Sequence, residues 1–166
     1  MTSIAYLSLK GQTTGVVKGS VNVRGHMGSI LVRAASHGIA SPRELQSGQP
    51  TGIRRHEPYI ITKDTDRSSP VLYSMLATNE TITEWELKFF ASSSTGHPTA
   101  PNHHTHTVKL LNASIASINF WMPRSKETDL MGPTEYEEIA FTYQKIIWTW
   151  IDGAITAQDD WAANVT

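Results

Sequence analysis

At 166 residues, with a formal charge of −1 and a sequence pI of about 6.6, the chain is long enough to bury a sizeable core as one domain. It carries no basic surplus to grip a phosphate backbone, which excludes nucleic acid as a natural partner. With no cysteine there is no disulfide scaffold and no thiolate zinc site. No stretch approaches the ~18 consecutive apolar residues of a spanning helix, so no membrane insertion is expected. The start, MTSIAYLSLKGQ, lacks the basic lead and the ~7–15-residue apolar run of a signal peptide. A cytoplasmic product is expected, and any export would use a route that reads no cleavable leader.

In chain order, Ile4–Leu9 reads as a first strand, with Ala5, Leu7 and Leu9 on one face and Ile4 and Tyr6 on the other. Gly11, Gly15 and Gly19 punctuate a turn region over 11–20. A second strand is expected at Ser29–Ala34. Residues 36–51 are polar and broken by Gly38, Pro42, Gly48 and Pro50. They cannot carry a core element, and a connection that long is commonly functional. Arg54–Thr62 reads as a strand whose Pro58, unable to donate to a ladder, marks a bulge or an edge.

One helix is expected, over about residues 69–79. Ser68 or Ser69 is the N-cap candidate, Pro70 suits the first turn, and Val71, Leu72, Met75 and Leu76 form one apolar stripe. Thr81–Phe90 alternates cleanly, with Trp85, Leu87 and Phe89 against Glu84, Glu86 and Lys88. Loops are expected at Ala91–Asn102 and from Pro123 to Glu135. Between them, His104–Leu111 and Ser114–Met122 read as strands on either side of Asn112–Ala113. Tyr136–Ile151 is the longest run of β-branched and aromatic residues. Ile139, Phe141 and Tyr143 share one parity and Ile146, Trp148 and Trp150 the other, so an extra residue near Gln144–Lys145 moves the apolar set across. That suits a strand passing between sheets, or a barrel with a covered exterior, with Phe141 and Trp148 buried. A turn at Asp152–Gly153 and a tail follow. Seven or eight strands and one helix predict a mainly β fold, an antiparallel barrel or sandwich with one flanking helix.

The chemistry-bearing residues are few. His103, His104 and His106 form the best metal candidate, with His104 and His106 expected on one strand face. No cysteine or nearby carboxylate completes the set, and exposed polar histidines at a strand start are the simpler reading. Glu84 and Glu86 share a face as acid–base pairs can, but alternation explains them as a solvated face. Asp66 is suited to complement the helix N-terminus, and Asp159–Asp160 to a turn or cap. Arg54–Arg55–His56 is too short for a nucleic-acid patch. Nucleophile-elbow, phosphate-loop, dinucleotide and zincin motifs do not occur. No catalytic residue, metal or cofactor is assigned, and no enzyme activity is expected.

Five stretches in register carry a resemblance: SGQPTGIRRHEPYIITKD (Ser47–Asp64), SSPVLYSMLATNE (Ser68–Glu80), HTHTVKLLNASIASI (His104–Ile118), WMP (Trp121–Pro123) and FTYQKIIWTWIDGAITAQDDW (Phe141–Trp161). With the opening AYLSLKG they resemble the Hcp family, the haemolysin-coregulated tube proteins of bacterial type VI secretion, over nearly the whole chain. Val21–Gly28 and Ala91–Asn102 are less typical, and His106 stands where the family often has an aromatic. The resemblance implies a tail-tube-like β-barrel protomer with a flanking helix, spanning 1–166 as a single tube domain without a C-terminal effector extension. It implies homohexameric rings, stacked rings forming a tube inside a contractile sheath under a VgrG-type spike, and secretion with small effector proteins carried in the ring. Ser47, Gly48, Gln49, Pro50, Thr51 and Gly52 are expected at the contact between protomers or stacked rings. The competing reading is a small β-barrel enzyme or metal-binding module using His103, His104 and His106.

Overall fold

The computed structural model describes residues 3–91, 103–123 and 135–161. The elements, in chain order, are β1 (Ser3–Gly11), β2 (Gly15–Val17), β3 (Ile30–Val32), β4 (Ala34–Ser36), β5 (Ile39–Ala40), β6 (Arg55–His56), β7 (Tyr59–Asp64), α1 (Ser69–Ala77), β8 (Ile82–Ala91), β9 (His103–Leu111), β10 (Ser114–Trp121), β11 (Tyr136–Thr142), β12 (Lys145–Trp150) and β13 (Ile155–Asp160). A seven-stranded antiparallel sheet runs β13-β12-β9-β8-β1-β2, with β3 also on β1. A four-stranded sheet runs β10-β11-β7-β4, and β5-β6 form a separate ribbon. Of the expected barrel or sandwich, the described residues form a mainly β sandwich, not a closed barrel, with one helix. The expected loops at Ala91–Asn102 and Pro123–Glu135 lie largely outside the described residues.

Three stretches leave one sheet and continue in the other. The strand expected at Ser29–Ala34 is two: β3 pairs β1 in the large sheet, and β4 pairs β7 in the small one. The break is at Arg33, whose N–H donates to Thr62 O (2.7 Å). At Asn112–Ala113 the chain passes from β9 to β10, with Asn112 at φ 49°, in the left-handed region that asparagine tolerates. At Tyr143–Gln144 it passes from β11 to β12, the switch predicted by the change of parity. The last two corners are tied together: Gln144 N–H donates to Leu111 O (3.1 Å), and Asn112 Nδ2 donates to Gln144 Oε1 (2.9 Å).

The core fills the space between the sheets. Leu7, Leu9, Trp85, Leu87, Leu110 and Ile146 face Tyr59, Ile61, Ile115, Ile139 and Phe141, and the helix adds Leu72 and Met75. Trp85 stands edge-on to both Tyr59 and Phe141, with centroids 5.2 and 5.4 Å apart, a favoured aromatic geometry. Phe141 is fully buried as expected, but Trp148 is only partly buried. That indole packs against the core beside the exposed Trp150 at the end of β12. The tail after Asp152–Gly153 forms β13, which lacks a strand-like sequence and is placed by its six-residue register with β12.

The helix docks through charge as well as apolar burial. Lys63 and Glu137 are 0% and 1% exposed and stand opposite each other in the β7–β11 ladder. Lys63 Nζ donates to Glu137 Oε2 (2.9 Å), to Ser69 Oγ (3.0 Å) and to Asp64 O (3.0 Å), and lies 3.0 Å from Asp66 Oδ1. Ser69 Oγ in turn donates to Glu137 (3.0 Å). Of the two cap candidates, Ser68 and Ser69, Ser68 takes the N-cap position but makes no capping bond with its side chain. Asp66 accepts its N–H (2.9 Å) and its hydroxyl (2.5 Å) instead.

Two stability outcomes follow from this packing. Phe141→Ala should lower unfolding free energy by about 3–5 kcal/mol in urea titration, the usual cost of an aromatic cavity. Glu137→Ala should cost about 3–5 kcal/mol by stranding the Lys63 charge, whereas Lys63→Met with Glu137→Leu should cost far less.

Candidate assembly surface

The polar stretch after β4 folds as an arm of two antiparallel legs over residues 38–57. Its first rung is Glu57 N–H to Gly38 O (2.9 Å), followed by the β5–β6 pairs Ile39–His56 and Ala40–Arg55. Farther out, Thr51 N–H donates to Pro42 O (3.0 Å) and Glu44 N–H to Gln49 O (2.9 Å). At the tip Gly48 has φ 71°, which glycine adopts without steric cost, and Ser47 Oγ donates to the Glu44 carboxylate. Ser47, Gly48, Gln49, Pro50, Thr51 and Gly52 are all exposed, forming the tip and the outer part of the returning leg. Leu45 beside them is completely exposed (103%). The arm is closed by its own backbone hydrogen bonds, and its Leu45 packs against none of the described residues.

The root of the arm is a chain of polar side chains that sequence reading left unconnected. Arg54 donates to both oxygens of Asp159 (2.5 and 2.7 Å) and to Asp160 O (2.8 Å). Asp159 also meets His56 Nε2 at 2.6 Å. Nδ1 of His56 lies 2.8 Å from the Tyr143 hydroxyl, which lies 2.5 Å from His37 Nε2. In sequence Arg54–His56 reads as a bare basic triplet and Asp159 as a turn or cap residue, because their partners lie about a hundred positions away. Two phase signals were present in the strands: Lys63 keeps step with Tyr59 and Ile61, and Glu137 with Ile139 and Phe141.

The electrostatics suit holding rather than chemistry. The Arg54 hydrogen bonds, with that of His56, keep the Asp159 carboxyl below its usual range against the opposing effect of burial. Burial pushes the Tyr59 phenol up to about 12, and the Tyr143 phenol higher still. A phenol so reluctant to ionise is a poor base or nucleophile. A cleft of about 400 Å³ opens beside the network, lined by Ile53, Pro58, Tyr143 and Trp161 together with Arg54, Arg55 and His56.

A second surface lies on the β9–β12–β13 side of the large sheet. His106, Trp148, Trp150, Ile155 and Ala157 share one face of β9, β12 and β13 around a shallow hollow of about 320 Å³. Trp150 and Ile155 are 48% and 66% exposed. Phe120, Trp121 and Met122 are likewise exposed at the end of β10. Contiguous exposed aromatic surface of this kind marks a contact site.

The histidine trio does not converge. The β8–β9 register shifts between Phe89 and Phe90, so His106 pairs Phe89 while His104 pairs Phe90, and Thr105 is bulged out. His106 stacks on Phe89 (4.2 Å) and His104 on Phe90 (4.8 Å), which sets them on opposite faces and corrects the shared face expected from simple alternation. His103 faces Asp152 (3.1 Å), and among the described residues no group of three or more His, Cys, Asp or Glu is placed to hold a metal. His106 stacks between Phe89 and Trp150. Glu86 is ion-paired with Lys88 (3.2 Å) and Lys109 (3.5 Å) on the opposite face. Among the described residues no helix is long and apolar enough to cross a membrane.

The sequence model of the family described as "Type VI secretion system effector, Hcp" matches residues 6–150. The "Major exported protein" of Pseudomonas aeruginosa is 32% identical over 174 residues, covering 99% of each chain. Among solved structures, one described as Hcp protein superposes with a TM-score of 0.87 at 28% identity, covering 98% of this chain and 100% of that one. Hcp1 from the E. coli EAEC 042 pathovar superposes at 0.79 and 32% identity, covering 95% and 97%.

Because the depressed Asp159 pKa favours the folded state, its contribution is present above the ordinary carboxyl value of about 3.9 and is lost as pH falls through the lower folded value. Thermal melts from neutral to strongly acidic pH should show that loss in the wild type and a flatter profile, from a lower starting point, in Asp159→Asn.

Proposed function

This chain belongs to the Hcp family of type VI secretion proteins, and from that membership we propose that residues 1–166 act as one structural tube domain. Six copies close into a ring, rings stack into the inner tube, and the lumen carries small effector proteins. A VgrG-type spike and a contractile sheath are its assembly partners, and the protein is exported from the cell. The family relative's name, "Major exported protein", supports export.

The observation that carries this reading is the exposed apolar face of Trp150 and Ile155 beside Trp148. Such a face is buried when a neighbour's different surface covers it. Such a heterologous contact generates rings when its rotation closes. The arm, with Ser47–Gly52 and Leu45 exposed, reaches away from the core and supplies part of the contact between protomers or stacked rings. The enzymatic alternative has no support in the geometry: the three histidines diverge, and the Tyr143 hydroxyl is buried and hard to ionise.

Light scattering and negative-stain images of purified protein should show rings of six. A protein that stays monomeric at high concentration with stoichiometric zinc would remove the tube reading. Deleting Ser47–Gly52 should abolish ring stacking, and full stacking by the deletion variant would take the arm out of the contact.

A further inference from the structure

The network at the root of the arm suspends one hydroxyl proton between two imidazoles. With both rings neutral, every group is satisfied. Asp159 only accepts, so His56 donates from Nε2; the Tyr143 hydroxyl then donates to His56 Nδ1 and accepts from His37 Nε2. One added proton is accommodated. A charged His56 donates from both nitrogens, and the Tyr143 hydroxyl turns to donate to His37 instead. A second proton is not. Both rings then donate to the same oxygen, the Tyr143 hydrogen loses its acceptor in a corner where Tyr143 is 5% exposed, and two positive rings face each other with centroids 6.4 Å apart. An orphaned buried donor and an unscreened like-charge pair both disfavour that state.

Both histidines sit where the legs of the arm meet the body. His37 immediately precedes the Gly38–Glu57 rung, and His56 is itself a rung, opposite Ile39. Pushing them apart therefore opens the ladder at its base. The charged and titratable groups facing the pair are Arg54 and Glu57 on the returning leg, Tyr59 of β7 stacked on His37 (5.1 Å), Tyr143 at the corner, and Asp159 with Asp160 of β13. Arg54 occupies both oxygens of Asp159, which leaves Glu57 as the acidic group acting on His37.

We infer that the arm is governed by a proton count: it stays ordered while His37 and His56 carry at most one proton between them, and it is released when both are charged. This rests on the reading of the arm as an assembly contact and gives that contact an acid-sensitive release. Burial and then His56 hold the His37 pKa below its ordinary value, with Glu57 opposing. The ordered state is therefore favoured above the usual imidazole value of about 6.5 and loses ground as pH falls.

The chain has no cysteine, so a spin label at Gln49→Cys reports on the arm alone. At about pH 7.5 the label should be largely immobile, and at about pH 5, well below the ordinary imidazole value, it should lose its immobile component. His37→Gln keeps an amide donor toward Tyr143 and does not titrate, so its label should remain immobile at both. Equal mobility of the wild-type label at the two pH values would overturn the inference, as would an acid release undiminished in His37→Gln. Negative-stain images on the same samples separate the two readings. Acid release of the arm with unchanged stacking would leave the proton count standing and remove the arm from the assembly contact.

Discussion

The structure depends on handing strands from one sheet to the other without leaving backbone groups unpaired. Every buried N–H and C=O must find a partner, and a chain that changes sheets gives up one ladder before it gains the next. At Ala113 the gap is bridged by reciprocal bonds with Ile82 (2.7 and 3.3 Å), and at Gln144 by Leu111 on one side and Trp161 on the other (3.1 and 3.2 Å). The sheets cannot slide or separate at these corners without breaking ladders on both sides. The Tyr143 corner also supplies the hydroxyl on which the root of the arm converges. The same crossing thus fixes the sandwich and the attachment of its most exposed appendage.

The buried Lys63–Glu137 pair performs a different task from the apolar core. Burial of an ion pair is at best a modest source of stability, but this one is saturated by Ser69, Asp66 and the Asp64 carbonyl. Leu72 and Met75 attract the helix to the sheet without specifying its position along it. The lysine, able to satisfy its donors in one arrangement only, fixes the first helical turn over the β7–β11 ladder. Apolar area supplies the attraction and the polar cluster supplies the register.

Much of this was legible in the chain because alternation is a local signal. The period of two in Ile139–Tyr143, and its shift at Gln144–Lys145, is written in neighbouring residues, as are Pro70 at the helix start and Pro58 at the break between β6 and β7. What was not legible depends on partners. The strand β13 has little strand character of its own and is held by β12; the Thr105 bulge is imposed by the register with β8; and Trp148 is only partly buried although it keeps the parity of the buried Ile146. The Arg54–Asp159–His56–Tyr143–His37 chain joins positions 87 to 106 apart, beyond any window in which periodicity operates. The tip residues Ser47–Gly52 were identifiable as an exposed loop from composition alone, but their support was not.

The exposed apolar face of β12 and β13 has a thermodynamic side. A protomer that leaves Trp150 and Ile155 uncovered gains part of its apolar burial only when another molecule covers them. Under the proposed ring assembly, folding and association are linked by mass action, so resistance to heat rises with protein concentration. Its stability is then a property of the population of molecules as much as of the single chain.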